Sequence, residues 1–166
     1  MRTSTAAYVV LTLLLCVPAS VVAQDDSAPF SKIERSVSDK EPEWKLERKF
    51  LNGDRVTFLW KHEAEEISAS ITSLASPEEA AKHFQRSVAA VPIPSPRGPE
   101  GTIPGLGDES RLWARYTQSG RSAIHFIKGS VHVQISAPST GIVKRFARLI
   151  ADEIPDARQA SGAGAQ

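Results

Sequence analysis

The chain has 166 residues, with 20 basic and 19 acidic side chains, 41% hydrophobic residues and one cysteine. That length builds one domain and not two comfortable ones. Balanced charge, with no basic block and no interleaving of basic and aromatic residues, argues against a nucleic-acid partner.

The first residues, MRTSTAAYVVLTLLLCVPASVVA, have the three parts of a secretory signal: Arg2, the apolar run Ala6 to Val17, and the small-residue site Val21-Val22-Ala23. Cleavage is predicted after Ala23, which makes residues 1–23 a signal peptide and the mature protein periplasmic or secreted. The apolar run is broken by Thr12 and Pro18 and is short for a span, so no stable membrane span is expected after cleavage. Cys16 follows Leu15 and not a small residue, so it reads as part of the apolar region and not as a lipidation site. Its loss with the signal leaves a mature chain without disulfides or a thiolate metal site.

Residues 24–43 read as a polar linker with a possible short helix, since Phe30, Ile33 and Val37 recur at helical spacing from about Ser31 to Ser38. From Trp44 the period changes to two. Trp44, Leu46 and Phe50 form one strand, Asn52-Gly53-Asp54 is a hairpin signal, and Val56, Phe58 and Trp60 form the return strand. A three-residue loop would pair Phe50 with Val56 and Leu46 with Trp60, keeping the apolar side chains on one face. Ile67, Ala69 and Ile71 make a third strand, with Ser68, Ser70 and Thr72 on its other, solvated face. Between them His62-Glu63-Ala64-Glu65-Glu66 lacks the second histidine of a zinc-protease motif and sits at a strand end, so it reads as a charged turn.

Ser76-Pro77-Glu78-Glu79 starts a helix: Ser76 caps it, Pro77 takes a position that needs no amide donor, and Glu79 closes a capping box. Ala80, Phe84 and Val88 form its buried stripe, and His83 and Arg86 are expected on the solvated side. Ala90 to Gly107 then carries five prolines and four glycines without periodicity. Loops of that length within a domain are usually functional or disordered.

GLGDES at residues 105–110 has neither the third glycine of a dinucleotide fingerprint nor the Gly-Lys-Ser/Thr of a phosphate loop. A strand follows it, so the glycines read as turn positions, with Asp108 bonding nearby backbone. Strands are predicted over Arg111 to Thr117, Ser122 to Lys128 and Val131 to Ser136, the last two joined by Gly129-Ser130. That register pairs Phe126 with Val133 and Ile124 with Ile135, and sets His125 diagonal to His132 on the opposite face. The two histidines lack a third ligand, so they read as polar surface first and as weak metal candidates second. Ile142, Val143, Phe146, Leu149, Ile150 and Ile154 form a final amphipathic helix stopped by Pro155, and residues 156–166 a disordered tail.

The expected architecture is α+β, a single antiparallel sheet of about six strands in the order βββα-βββα over residues 44–155, with helices packed on one face. The block from GLGDES through KGSVHVQIS to the last helix resembles small exported bacterial domains of unknown function. The layout is similar to Mog1/PsbP-like folds, a resemblance that implies a non-enzymatic binding or assembly role and transfers no site. Adjacent acids at Asp108 and Glu109 point apart on a strand, and Ser122 lacks the setting of a nucleophile elbow. No catalytic set and no cofactor are therefore expected. The first functional reading is an exported domain that binds a protein or envelope component through the Pro/Gly loop, with Arg97, Asp108, Trp113 and Arg115 as contact residues. Trp113 beside Arg115 fits a contact hot spot, or else a Trp covered by that loop. The alternative is a small-ligand or metal-binding periplasmic module using His125 and His132.

Overall fold

The computed structural model describes residues 28–91, 102–115 and 120–155. The expected signal peptide, most of the Pro/Gly loop with Arg97, and the tail at 156–166 lie outside the described residues. Three helices and six strands follow in the expected order: α1 (Ala28–Lys40), β1 (Lys45–Asn52), β2 (Arg55–His62), β3 (Glu65–Ser73), α2 (Pro77–Ala90), β4 (Glu109–Trp113), β5 (Ser122–Lys128), β6 (Val131–Ala137) and α3 (Thr140–Glu153). The strands form one antiparallel sheet in the order β1-β2-β3-β6-β5-β4.

One sheet face carries the main core. Val56, Phe58, Trp60, Ile67, Ala69, Ile71, Leu112, Ile124, Phe126, Val133 and Ile135 are buried there against Ile33 and Val37 of α1 and Val143, Phe146 and Ile150 of α3. Trp60 stacks on Phe58 at 5.1 Å and meets the Phe146 ring edge at 5.5 Å, while Trp44 meets Phe146 at 5.7 Å. Glu41, just after α1, takes two hydrogen bonds from Arg145 of α3, at 2.9 and 3.2 Å. The possible short helix expected within residues 24–43 is thus α1, which runs longer than Ser31 to Ser38 and packs into the core. Capping is as the residue types require: Ser76 accepts from the Glu79 N–H, and Ser139 accepts from the Ile142 N–H. Glu79 returns its own bond to the Ala75 N–H.

Three expectations need correction. The helices do not share a face: α1 and α3 cover the side of Ile124 and Phe126, while α2 packs on the opposite side, where Ala80 and Phe84 bury against Ile127. The first side is already filled, and Ile127 is the residue of the second on which the apolar stripe of α2 buries. The first hairpin turns on Gly53-Asp54 alone, pairing Asn52 with Arg55, and a bulge between Leu46 and Arg48 restores Leu46 opposite Trp60. The two-residue turn puts Phe50 on the second face, opposite Thr57, where it is 52% exposed. The fourth strand spans Glu109 to Trp113 and not Arg111 to Thr117, because the chain turns at Arg115 with φ 52°.

The strand order is symmetric about the β3–β6 pair. A two-fold axis relating the halves would run through the sheet and put α2 and α3 on the same face; the observed placement breaks that symmetry.

Gly107 locks the β4 end to the β5–β6 hairpin. Its φ is 66°, and a Cβ there would collide with the Ile127 carbonyl, the group that accepts from the Asp108 N–H at 2.7 Å. Gly105 has φ 75° with open space around it. Gly105→Ala should therefore cost only the left-handed strain, about 1–2 kcal/mol. Gly107→Ala should cost that plus a backbone displacement, about 3 kcal/mol or more. Urea midpoints of the two variants check this; equal losses would remove Gly107 from this role.

Candidate functional site

The second sheet face is polar by the alternation of each strand. Across its middle run Thr57, Ser70, Gln134, His125 and Arg111, paired in register from β2 to β4. The next row holds Thr72, His132, Ile127 and Glu109. α2 lies over the β5–β6 part of this face because Phe84 seats on Ile127, and that placement brings helix side chains onto the two sheet histidines.

His83 Nδ1 lies 2.9 Å from His132 Nδ1, and Ser87 Oγ lies 2.9 Å from His125 Nδ1. Gln134 Nε2 donates to Ser87 Oγ at 2.7 Å. The His125 and His132 rings stand 5.8 Å apart, Trp113 packs edge-on to His125 at 4.7 Å, and Phe84 meets His132 at 5.9 Å. The diagonal arrangement of His125 and His132 is as the register predicts, but their exposure is not: they are 9% and 0% exposed. His83, expected on the solvated side, faces the sheet. The helix face is wider than the apolar stripe, and His83 and Ser87 flank Ala80, Phe84 and Val88 at the same i, i+4 spacing.

Burial sets the charge of the cluster. It pushes His125 down to about 4. It pushes His132 down to about 3, with the neighbouring His125, His83 and Arg55 adding to the effect. His83 is lowered too, first by burial and then by Arg55 and Arg86. All three imidazoles are neutral at neutral pH. Among the described residues His132 Nε2 is buried without a hydrogen-bond partner.

A cavity of about 470 Å³ opens between α2 and the sheet, lined by His83, Arg86, Ser87, Ala90, Val91, His125 and Gln134. A smaller hollow of about 130 Å³ continues from His125 and Gln134 to Ser68, Ser70 and Ser136. Together they make a groove whose lining, among the described residues, holds no carboxylate. Ser87 and His125 have the spacing of a nucleophile–base pair. A base with a pKa near 4 has little drive to take a serine proton at neutral pH, and among the described residues no carboxylate in the lining orients its ring. The pair is a hydrogen-bonded strut between α2 and β5. Among the described residues, no group of three or more His, Cys, Asp or Glu side chains is placed to hold a metal ion. The 2.9 Å contact between His83 and His132 is a hydrogen bond.

The other sequence candidates have different surroundings. Asp108 accepts from the Gly129 N–H at 2.7 Å and braces the β5–β6 turn. Trp113 is 3% exposed, packed on the second face. Arg115 is exposed but lies past the strand end, in the turn. Arg97 lies outside the described residues. Ser87, Arg86 and Gln134 were not among the sequence candidates, since polar residues on amphipathic elements carry no local mark of what will face them. Among the described residues no helix is long and apolar enough to cross a membrane. No family model, curated protein or solved structure matches the chain.

Buried neutral histidines couple stability to pH with a definite sign. Their folded pKa values, about 4 and about 3, lie below the usual 6.5, so the unfolded chain takes up protons first. Stability should be full above pH 6.5 and fall as pH drops through the window from 6.5 to about 4. The loss at pH 5 is roughly 2 kcal/mol for each of the two residues. His132→Gln should remove about half of that slope. Urea unfolding of both proteins across the window checks it; parallel curves would mean that His132 is not buried neutral.

Proposed function

We propose that this chain is an exported, non-catalytic binding module whose site is the groove between α2 and the β5–β6 part of the sheet, and that it takes a small polar ligand. The observation that carries the reading is the cavity of about 470 Å³, in which imidazole, hydroxyl, amide and guanidinium groups converge on one opening. Its volume is in the range of small-molecule sites. Its polar groups are held from behind: Gln134 bonds Ser87, Ser87 bonds His125, and Trp113 fixes the His125 ring. Such support lets a site keep its shape when empty, which lowers the ordering cost of binding.

The competing proposal, a protein or envelope component held by the Pro/Gly loop with Trp113 and Arg115, has less support. Its aromatic anchor is 3% exposed, and hot spots are built on aromatic side chains that a partner can reach. The expected leader supports export.

Ala90 is exposed at the cavity mouth and Ala90→Trp fills it without touching the core. In a fragment screen read by amide and side-chain chemical shifts, small polar compounds should perturb Ser87, His125 and Gln134 saturably. Ala90→Trp should weaken that binding by about tenfold or more while the melting temperature stays. Perturbations confined to other surfaces, or binding indifferent to the Trp, would reject the groove.

A further inference from the structure

The hydrogen-bond network decides which way each imidazole proton points, and so what the groove offers. Gln134 Nε2 donates to Ser87 Oγ, which leaves the serine proton for His125 Nδ1. A neutral imidazole that accepts at Nδ1 carries its proton on Nε2. In the His83–His132 pair one Nδ1 must donate and the other accept. Among the described residues His132 Nε2 is buried without a partner, and a buried N–H without an acceptor is rarer and costlier than an idle lone pair. The proton therefore sits on His132 Nδ1 and is donated to His83 Nδ1. That leaves His83, like His125, with its proton on Nε2.

The groove thus presents two imidazole N–H donors. Beside them stands Arg86, whose bond among the described residues is a long one from Nε to the Lys82 carbonyl, 3.4 Å. Glu109, an acidic residue of this face, is engaged: Arg111 donates to it at 2.9 Å, and Gln85 at 3.2 and 3.3 Å. Each neutral donor stands on a ring held at its Nδ1, and among the described residues no carboxylate of the lining competes for the guanidinium.

Resting on the groove reading above, we infer that the ligand carries an oxyanion head, a carboxylate or a phosphate. Arg86 and the Nε2–H groups of His83 and His125 receive the head, and the body of the ligand runs along Gln134 toward Ser70 and Ser136. Ligands that present only donors, amines above all, find no anionic partner among the described residues of the lining. Charge-assisted hydrogen bonds from a guanidinium are about twice as strong as neutral ones, so a neutral isostere of the same shape binds less well.

The test titrates the full chain at neutral pH and constant ionic strength with succinate, inorganic phosphate and succinamide, following imidazole and guanidinium nitrogen signals. One or both anions should shift His83, His125 and Arg86 saturably, succinamide should bind about tenfold or more weakly, and Arg86→Gln should weaken the anion by about tenfold at unchanged melting temperature. The tighter anion identifies the head as carboxylate or phosphate. Succinamide binding as tightly as succinate, or an Arg86→Gln variant with full anion affinity, overturns the inference and leaves the groove in place. Silence to both anions overturns it as well. If the fragment screen is also silent, the groove reading falls with it.

Discussion

Everything on the second sheet face follows from where Phe84 sits. Its ring and Ala80 bury against Ile127, an apolar residue in the rows that carry the two histidines. With that contact made, α2 has no freedom to choose its other neighbours. His83 lands on His132, Ser87 on His125, and two sheet histidines that alternation alone would leave wet become buried. Burying a polar group is tolerable only when it is hydrogen-bonded. The cluster meets that condition at three of its ring nitrogens by pairing helix with sheet, so the same contacts that satisfy the imidazoles hold α2 in place.

The two faces of the sheet are consequently stabilised in different ways. The face under α1 and α3 is an aromatic and aliphatic core, with Trp60, Phe58 and Phe146 in mutual contact and the Glu41–Arg145 pair at its margin. Its strength scales with buried area and depends little on pH. The α2 face has a small apolar wedge and a polar network whose neutrality depends on burial. Local opening is expected first where apolar contacts are few, which is at α2, the helix that walls the groove. A binding site belongs at such a place: the sheet provides the rigid floor, and the helix is the less firmly held wall.

Local chemistry was legible wherever a residue's role is decided within a few positions. Ser76 and Ser139 cap helices because their hydroxyls reach amides three residues on. Gly129-Ser130 turns the last hairpin and thereby fixes the diagonal of His125 and His132. Leu46, Val56 and the alternating strands were readable as a sheet with one buried side, though the bulge near Glu47 was not, since an extra residue is cheap locally and is justified only by the partner strand. His83 was misread for a related reason. A stripe of Ala80, Phe84 and Val88 says which way a helix faces, not how wide the buried band will be or what lies beneath it.

From composition and pattern alone came the α+β class, the order βββα-βββα, the central apolar strands and the diagonal placement of the two sheet histidines, all consequences of nearest-neighbour geometry and period. Which face α2 covers, the burial and neutrality of the histidines, and the donor-lined cavity beside them were decided only when distant segments met. Face selection depends on which side of the sheet still has unburied apolar area after the other helices have docked, and desolvation is a property of the assembled surroundings. Neither quantity is carried by any single stretch of the chain.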